Sequence, residues 1–198
     1  MIYSNNDILT KFTLWFDYAN KVYEKNSLKN FNSFALSTCY NNMPTSRMVL
    51  LKDYNKDGFI FFTNLESKKS IEIQSNQNVA MLFYWECISR QIRITGKALP
   101  VDSVISEKYF QSRPYLSKIG AWASKQSMEL SSYQDFLHRI SKYSIKYPIN
   151  PPKPNYWGGY IIRPSTIEFW HEKSFRLHIR KLYTKIEDDK WNEKLLYP

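Results

Sequence analysis

What this chain lacks narrows it first. No run of apolar residues among its 198 residues approaches the length of a membrane span, and the N-terminus carries no basic-then-apolar signal pattern. A cytoplasmic protein with no membrane partner is the expectation. Cysteine is nearly missing. Cys39 and Cys87 sit singly inside strand-like runs, which predicts buried free thiols rather than a disulfide or a metal site. His138, His171 and His178 have no recognisable metal-ligand partners, so no metal is expected, and no nucleophilic triad is visible. Internal repeats and low-complexity tracts are absent as well.

Acidic residues are scarce, 18 against 28 lysines and arginines, which leaves a formal charge of +10. Nucleic-acid binding would want those cations on one face or in a tail. They are spread along the whole chain instead, so no nucleic-acid partner is expected. A phosphorylated small ligand needs only a few converging cations. Aromatic residues make up 17% of the chain, too many for a disordered one. The length suits a single domain over residues 1–198 with a sizeable core.

The stretch around which the rest is organised is Arg47-Met48-Val49-Leu50-Leu51-Lys52, a turn from Asp53 to Gly58, and Phe59-Ile60-Phe61-Phe62-Thr63. Both apolar runs have strand composition, and Asp57-Gly58 has hairpin chemistry. A helix follows over Lys68 to Ser75, with Ser67 as its cap. Two lysines in a first helical turn are disfavoured by the helix dipole, and an anion bound there reverses that argument. Ser67-Lys68-Lys69 therefore reads either as a phosphate cradle or as a pair of solvated lysines. Parity puts Arg47, Val49 and Leu51 on one strand face and Met48, Leu50 and Lys52 on the other.

Along the rest of the chain, Asp7 to Lys25 has apolar groups at helical spacing. Phe34 to Cys39 reads as a strand, and Asn41-Asn42-Met43-Pro44 as the turn after it. Val79 to Trp85 is apolar almost throughout, which predicts a central strand buried on both faces. Gln91 to Gly96 alternates, with Gln91, Arg93 and Thr95 on one side. That pattern belongs to an antiparallel sheet or barrel. Asp102 caps a helix through Gln111, and Tyr109 and Arg113, four apart, share a face. The small residues around Trp122 imply close backbone approach. Ser131 to Tyr147 predicts a helix with Phe136, Leu137, Ile140 and Tyr143 inward. The proline-rich stretch from Tyr147 to Pro154 reads as a stiff surface connection. Trp157 to Arg163, Thr166 to Trp170 and Arg176 to Arg180 read as strands. In the last of these Arg176, His178 and Arg180 share a face, which calls for an anion or a carboxylate among them, or for solvent.

In this order the pieces resemble the pyridoxamine (pyridoxine) 5′-phosphate oxidase family. The resemblance is carried by Arg47 to Lys52, Thr63-Asn64-Leu65, Ser67-Lys68-Lys69, Arg90-Gln91, Lys108 to Pro114, Ile119 to Ser127, Trp157-Gly158-Gly159, and Ile167 to Trp170 with Arg176 to Arg180. It implies a mainly β protein with flanking helices, a split β-barrel of Greek-key type that binds FMN at a homodimer interface. Its substrates would be phosphorylated B6 vitamers, oxidised to pyridoxal 5′-phosphate with oxygen as electron acceptor.

The resemblance places FMN contacts at Arg47, Met48, Val49, Leu50, Leu51, Lys52, Phe62, Thr63, Lys68, Lys69, Gln91, Gln126, Ser127, Trp170 and Arg180. Substrate contacts fall at Lys52, Tyr109, Arg113, Ser117, Arg176, Leu177 and His178, with Arg176 and His178 catalytic. Three positions depart from the family pattern. Ile179 stands where an acidic residue is usual, Lys68 replaces an arginine, and Glu66 replaces a glycine. The alternative that Ile179 and Glu66 motivate is a split-barrel FMN-binding protein with lost or altered oxidase activity.

Overall fold

A computed structural model describes residues 2–198. Its strands are β1 (Ile2–Tyr3), β2 (Ser33–Tyr40), β3 (Met43–Leu50), β4 (Asp53–Asn55), β5 (Gly58–Asn64), β6 (Asn78–Trp85), β7 (Arg90–Pro100), β8 (Trp157–His171), β9 (Ile179–Glu187) and β10 (Lys190–Leu196). The helices are α1 (Asn5–Lys25), α2 (Lys68–Ser75), α3 (Ser103–Ser112), α4 (Tyr115–Ala123) and α5 (Tyr133–Lys146). The fold is the expected one, a mainly antiparallel sheet with flanking helices. The ladder runs β1-β10-β9-β8-β7-β6-β2-β3, with β4 and β5 off this path. β8 carries three neighbours. β7 runs along one edge, while the other edge pairs first with β5 and then with β9. β3 and β5 share no ladder, so the barrel stays split.

Helix α1 starts earlier than its apolar spacing suggests, because Ser4 and Asp7 form a capping box that satisfies the first-turn N–H groups. It lays Phe12 and Phe16 on the sheet, where Phe12 meets Tyr54, Phe59 and Phe83 at ring distances of 4.9, 4.8 and 5.8 Å. Each such ring, removed from water, contributes about 2–3 kcal/mol. Val79, Met81, Phe83 and Trp85 of β6 face this core, but Leu82 and Tyr84 are exposed. The strand is thus buried on one face, not both; among the described residues the other face is left exposed at Leu82 and Tyr84.

Several local expectations shift. The turn after β2 is the two residues Asn41-Asn42, both with positive φ (48° and 62°), the hairpin geometry that asparagine tolerates. Pro44 therefore lies inside β3, which an edge strand permits. The hairpin partner of β5 is the short β4 rather than β3. At Leu51 the chain leaves the β2 edge, its backbone tied to Asn32, and buries Leu51 in the core. Trp157 to Trp170 forms one strand, with a register shift opposite Gly96 and Pro164. A Cβ at Gly96 would lie 2.1 Å from the carbonyl oxygen of Arg163, so this bulge needs glycine.

No residue of α5 is fully buried, and Leu137 is exposed rather than inward. Cys39 is half-buried and Cys87 exposed, so the thiols are free but not buried. The proline-rich connection does cross the surface, where it accepts from Trp122 Nε1 at Pro152 and from Lys118 Nζ at Asn150.

Candidate functional site

Between the β3 edge, the β5–α2 turn and α3–α4 lies a cavity of about 940 Å³. Arg47, Met48, Val49, Leu50 and Lys52 line it from β3 and the residues after it. Phe62, Thr63, Lys68 and Lys69 line it from β5 and α2, and Tyr109, Arg113, Ser117, Gln126 and Ser127 from the helical side. Fourteen residues singled out in the sequence thus share one hollow. Gly120 also lines it, and a Cβ there would meet nothing within 4 Å. The small residues around Trp122 therefore border open space at Gly120 instead of allowing a close backbone approach.

The strand-to-helix turn at α2 forms where the sequence predicts it, with one difference. Ser67 is the N-cap, yet its side chain caps no N–H. Its hydroxyl donates to Asn64 O at 2.7 Å and accepts from Lys69 Nζ at 2.9 Å. Lys69 is buried, not solvated, and also donates to Thr63 Oγ1 at 3.0 Å and Gln126 Oε1 at 3.1 Å. Its three protons are spent on neutral oxygens, so its charge has no direct counterion. Burial, with Arg47 adding repulsion and Glu72 opposing both, pushes the Lys69 ammonium down to about 8.

Glu72, one helical turn beyond Lys68, went unnoticed in the sequence because it reads there as an ordinary helix-surface acid. It is buried, and its Oε2 accepts from Thr38 at 2.5 Å, Thr45 at 2.7 Å and Arg47 Nη2 at 3.0 Å. Burial alone would raise its carboxyl; these donors outweigh that and hold it below the usual range.

A second cationic group sits across the cavity. The rings of Phe62 and Tyr109 stack at 4.2 Å and 8°, and Trp157 lies parallel to Phe62 at 5.4 Å. Lys52 Nζ stands 6.0 Å from the Tyr109 ring, and the Arg113 guanidinium lies 5.0 Å from the Trp157 ring. Arg113 Nη1 is buried without a hydrogen-bond partner. An orphaned buried donor on a cavity wall fits an anion that would complete it.

The remaining sequence-selected residues do not line this cavity. Leu51 is 3% exposed and belongs to the core. Gln91, Trp170 and Arg180 stand in register on β7, β8 and β9, in one row on the sheet face where Leu82 and Tyr84 are exposed. His178 joins them, its ring 4.7 Å from that of Trp170. The strand expected from Arg176 to Arg180 is not formed. Residues Ser174–Arg176 make a 3₁₀ turn, Phe175 and Arg176 have positive φ (58° and 62°), and β9 begins only at Ile179. Period-2 parity therefore cannot relate Arg176 and Leu177 to Arg180. The carboxylate that Arg180 needs is Glu168, from the neighbouring strand.

A split antiparallel barrel with a lysine-bearing strand-to-helix turn on its rim is the architecture of the split-barrel flavoproteins, and the comparisons agree. The family model described as pyridoxamine 5′-phosphate oxidase matches residues 24–145, and that of the pyridoxine 5′-phosphate oxidase C-terminal dimerisation region matches residues 157–198. The chain belongs to the pyridoxamine 5′-phosphate oxidase family.

The pyridoxine/pyridoxamine 5′-phosphate oxidase of Pelagibacter ubique is 41% identical over 195 residues, 97% of this chain and 92% of that one. The protein of the same name from Haemophilus influenzae is 48% identical over 155 residues, 78% of this chain and 73% of that one. Among solved structures, PhzG from Burkholderia lata, in complex with tetrahydrophenazine-1-carboxylic acid, superposes with a TM-score of 0.87 at 26% identity, covering 96% of this chain and 92% of that one. A pyridoxamine 5′-phosphate oxidase-related, FMN-binding protein from Nostoc punctiforme shares the fold, with a TM-score of 0.72 at 15% identity over 92% of this chain and 96% of that one.

Proposed function

We propose that this protein oxidises pyridoxamine 5′-phosphate and pyridoxine 5′-phosphate to pyridoxal 5′-phosphate, using FMN and passing the electrons to oxygen. The observation that carries this reading is the pair of cationic groups facing one cavity, Lys68 and Lys69 on one side and Lys52 and Arg113 on the other. Two phosphates in one hollow are what a phosphorylated flavin and a phosphorylated substrate require.

The residues present fit FMN. Lys68 and Lys69 take its phosphate at the uncapped start of α2, and Thr63, Gln126 and Ser127 supply neutral polar groups beside it. FMN held there would supply the acceptor for a hydride equivalent from the substrate carbon. The chain's own part is binding and orientation. Lys52, Arg113 and Ser117 hold the substrate phosphate, while Tyr109, kept flat by Phe62, borders the ring. Arg176 and His178 would orient that ring toward the cofactor, and Gln91, Trp170 and Arg180 would help hold FMN from the exposed sheet face.

Since those residues lie off the cavity of their own chain, the reading includes a homodimer with FMN at the interface, each chain folding as one domain over residues 1–198. The exposed Leu82 and Tyr84 on that face, and the dimerisation region named in the matching family model, support it.

The test is a visible spectrum of the purified protein, followed by pyridoxamine 5′-phosphate without oxygen. A flavin band that bleaches is expected. A flavin band that persists would leave a flavin binder of altered activity, and no flavin uptake from added FMN would refute the cofactor as well.

A further inference from the structure

Arg113 is held differently from three other arginines of the chain. Arg47, Arg93 and Arg180 each rest on a carboxylate, Glu72 for the first and Glu168 for the other two. Among the described residues no carboxylate pairs with Arg113, and its buried Nη1 has no acceptor. Burial accordingly pulls the guanidinium below its usual value, opposed only by Tyr109. What touches the guanidinium is aromatic, the Trp157 ring at 5.0 Å and the Phe110 ring at 5.4 Å. A ring face attracts a cation through its quadrupole and consumes none of its N–H donors.

Trp157 is itself firmly mounted. It is buried and opens β8 in register with Asn64. Its N–H donates to Pro154 O at 3.0 Å, and its carbonyl accepts from Lys153 Nζ at 3.2 Å. The Phe110 ring meets the indole at 4.9 Å and 70°, and Phe62 lies parallel to it at 5.4 Å. Pro114 fixes the other end of the contact, since a residue before proline is kept extended, and Arg113 has φ −73° and ψ 149°. Backbone and ring together set the guanidinium on the cavity wall.

We propose that Trp157, to which the proposed function gives no role, is a positioning residue for the substrate phosphate: its indole face takes the place of a carboxylate and holds Arg113 on the cavity wall with its charge and its Nη1 donor unspent. This rests on the reading of Arg113 as a ligand of that phosphate. A carboxylate in the same place would neutralise the guanidinium and occupy its donors, weakening its attraction for an anion. The indole also lies in the row of rings that carries Tyr109, 6.1 Å away and 11° off parallel. A truncation thus acts through Arg113 or through Tyr109, and a double-substitution cycle separates the two.

The experiment measures, by calorimetry on the FMN-loaded protein, binding of 4-deoxypyridoxine 5′-phosphate, which carries a methyl group where the substrates carry their oxidisable carbon. Its dephosphorylated form is measured beside it. The wild type should bind the phosphorylated form at least about tenfold more tightly. Trp157→Leu should weaken that binding about tenfold, the size of a desolvated cation–π contact, and Trp157→Phe, which keeps a smaller face, about threefold. In an Arg113→Gln background each change should cost less than about twofold, because no guanidinium is left to position. Unchanged affinity in Trp157→Leu, or a full cost that persists beside Arg113→Gln, overturns the proposal and leaves Trp157 a wall for its neighbours. If Trp157→Leu does not fold, the Trp157→Phe cycle decides by the same rule. Equal wild-type affinity for the two forms strikes instead at the phosphate reading beneath the proposal, and the proposal falls with it.

Discussion

Arg180 Nε donates to Glu168 Oε1 at 2.7 Å, and its Nη2 reaches Oε2 of the same carboxylate at 3.2 Å. This two-point pairing fixes the guanidinium plane on the open sheet face, and Arg93 shares Oε2 from the other side at 3.2 Å. Glu168 is buried, so it serves as the common anchor for two more exposed cations. Glu168→Gln should lower stability by about 1–2 kcal/mol, because charged hydrogen bonds are lost while both arginines can still reach water. Urea denaturation checks this, and an unchanged midpoint would show that the anchor is redundant.

The depressed Lys69 ammonium gives stability a definite slope with pH. Its folded value, about 8, lies below the ordinary 10.5 of an unfolded chain. Between these values the unfolded state binds more protons, so the contribution of Lys69 makes the apoprotein more stable as pH rises through that window. Below about 8 the cost of the buried charge is fully present. Lys69→Met should abolish this component, about 1–2 kcal/mol after allowing for solvent screening, and FMN affinity should lose its alkaline decline. Denaturation midpoints of the two proteins at pH values on either side of the window measure the difference.

Arg176 lies in the 3₁₀ turn before β9 and lines no part of its own chain's cavity. Arg176→Ala should therefore leave the flavin spectrum and FMN affinity near wild type while turnover falls about 100-fold or more. Stopped-flow reduction of the bound flavin separates the two effects. Unchanged turnover would remove Arg176 from the reaction.

Gly159 is the backbone floor beneath the stacked rings. A Cβ there would come 2.6 Å from Phe62 Cδ1 and 2.7 Å from Phe61 O. Gly159→Ala should cost about 1–3 kcal/mol through overpacking. The shifted Phe62 ring would also tilt Tyr109, so KM for pyridoxamine 5′-phosphate should rise more than FMN affinity falls. Comparing KM with flavin affinity in the variant tests the link.

Much of this architecture was legible because each signal was local. Apolar spacing located α1, alternation located β7, and Ser67-Lys68-Lys69 located the start of α2 on the cavity wall. What escaped depended on contacts between segments distant in the chain. Glu72 matters only because Thr38 and Thr45 fold over it, and Leu51 sinks into the core because the chain changes edges there. Arg176 misled for a different reason. Alternation from Arg176 to Arg180 looks like a strand, and two consecutive positive φ angles at Phe175 and Arg176 do not register in a hydrophobic pattern.

β8 gives the chain a temporal order as well as a spatial one. Phe62 finds its ladder partner at Gly159 and Asn64 at Trp157, nearly a hundred positions later in synthesis. Helix α2 can form early, but the wall behind it must wait for almost the entire polypeptide to leave the ribosome. Such distant pairing is slow to close. A nascent chain released before residue 157 would carry its lysines on an unfinished rim, so the cationic cavity wall is among the last parts of the fold to be completed.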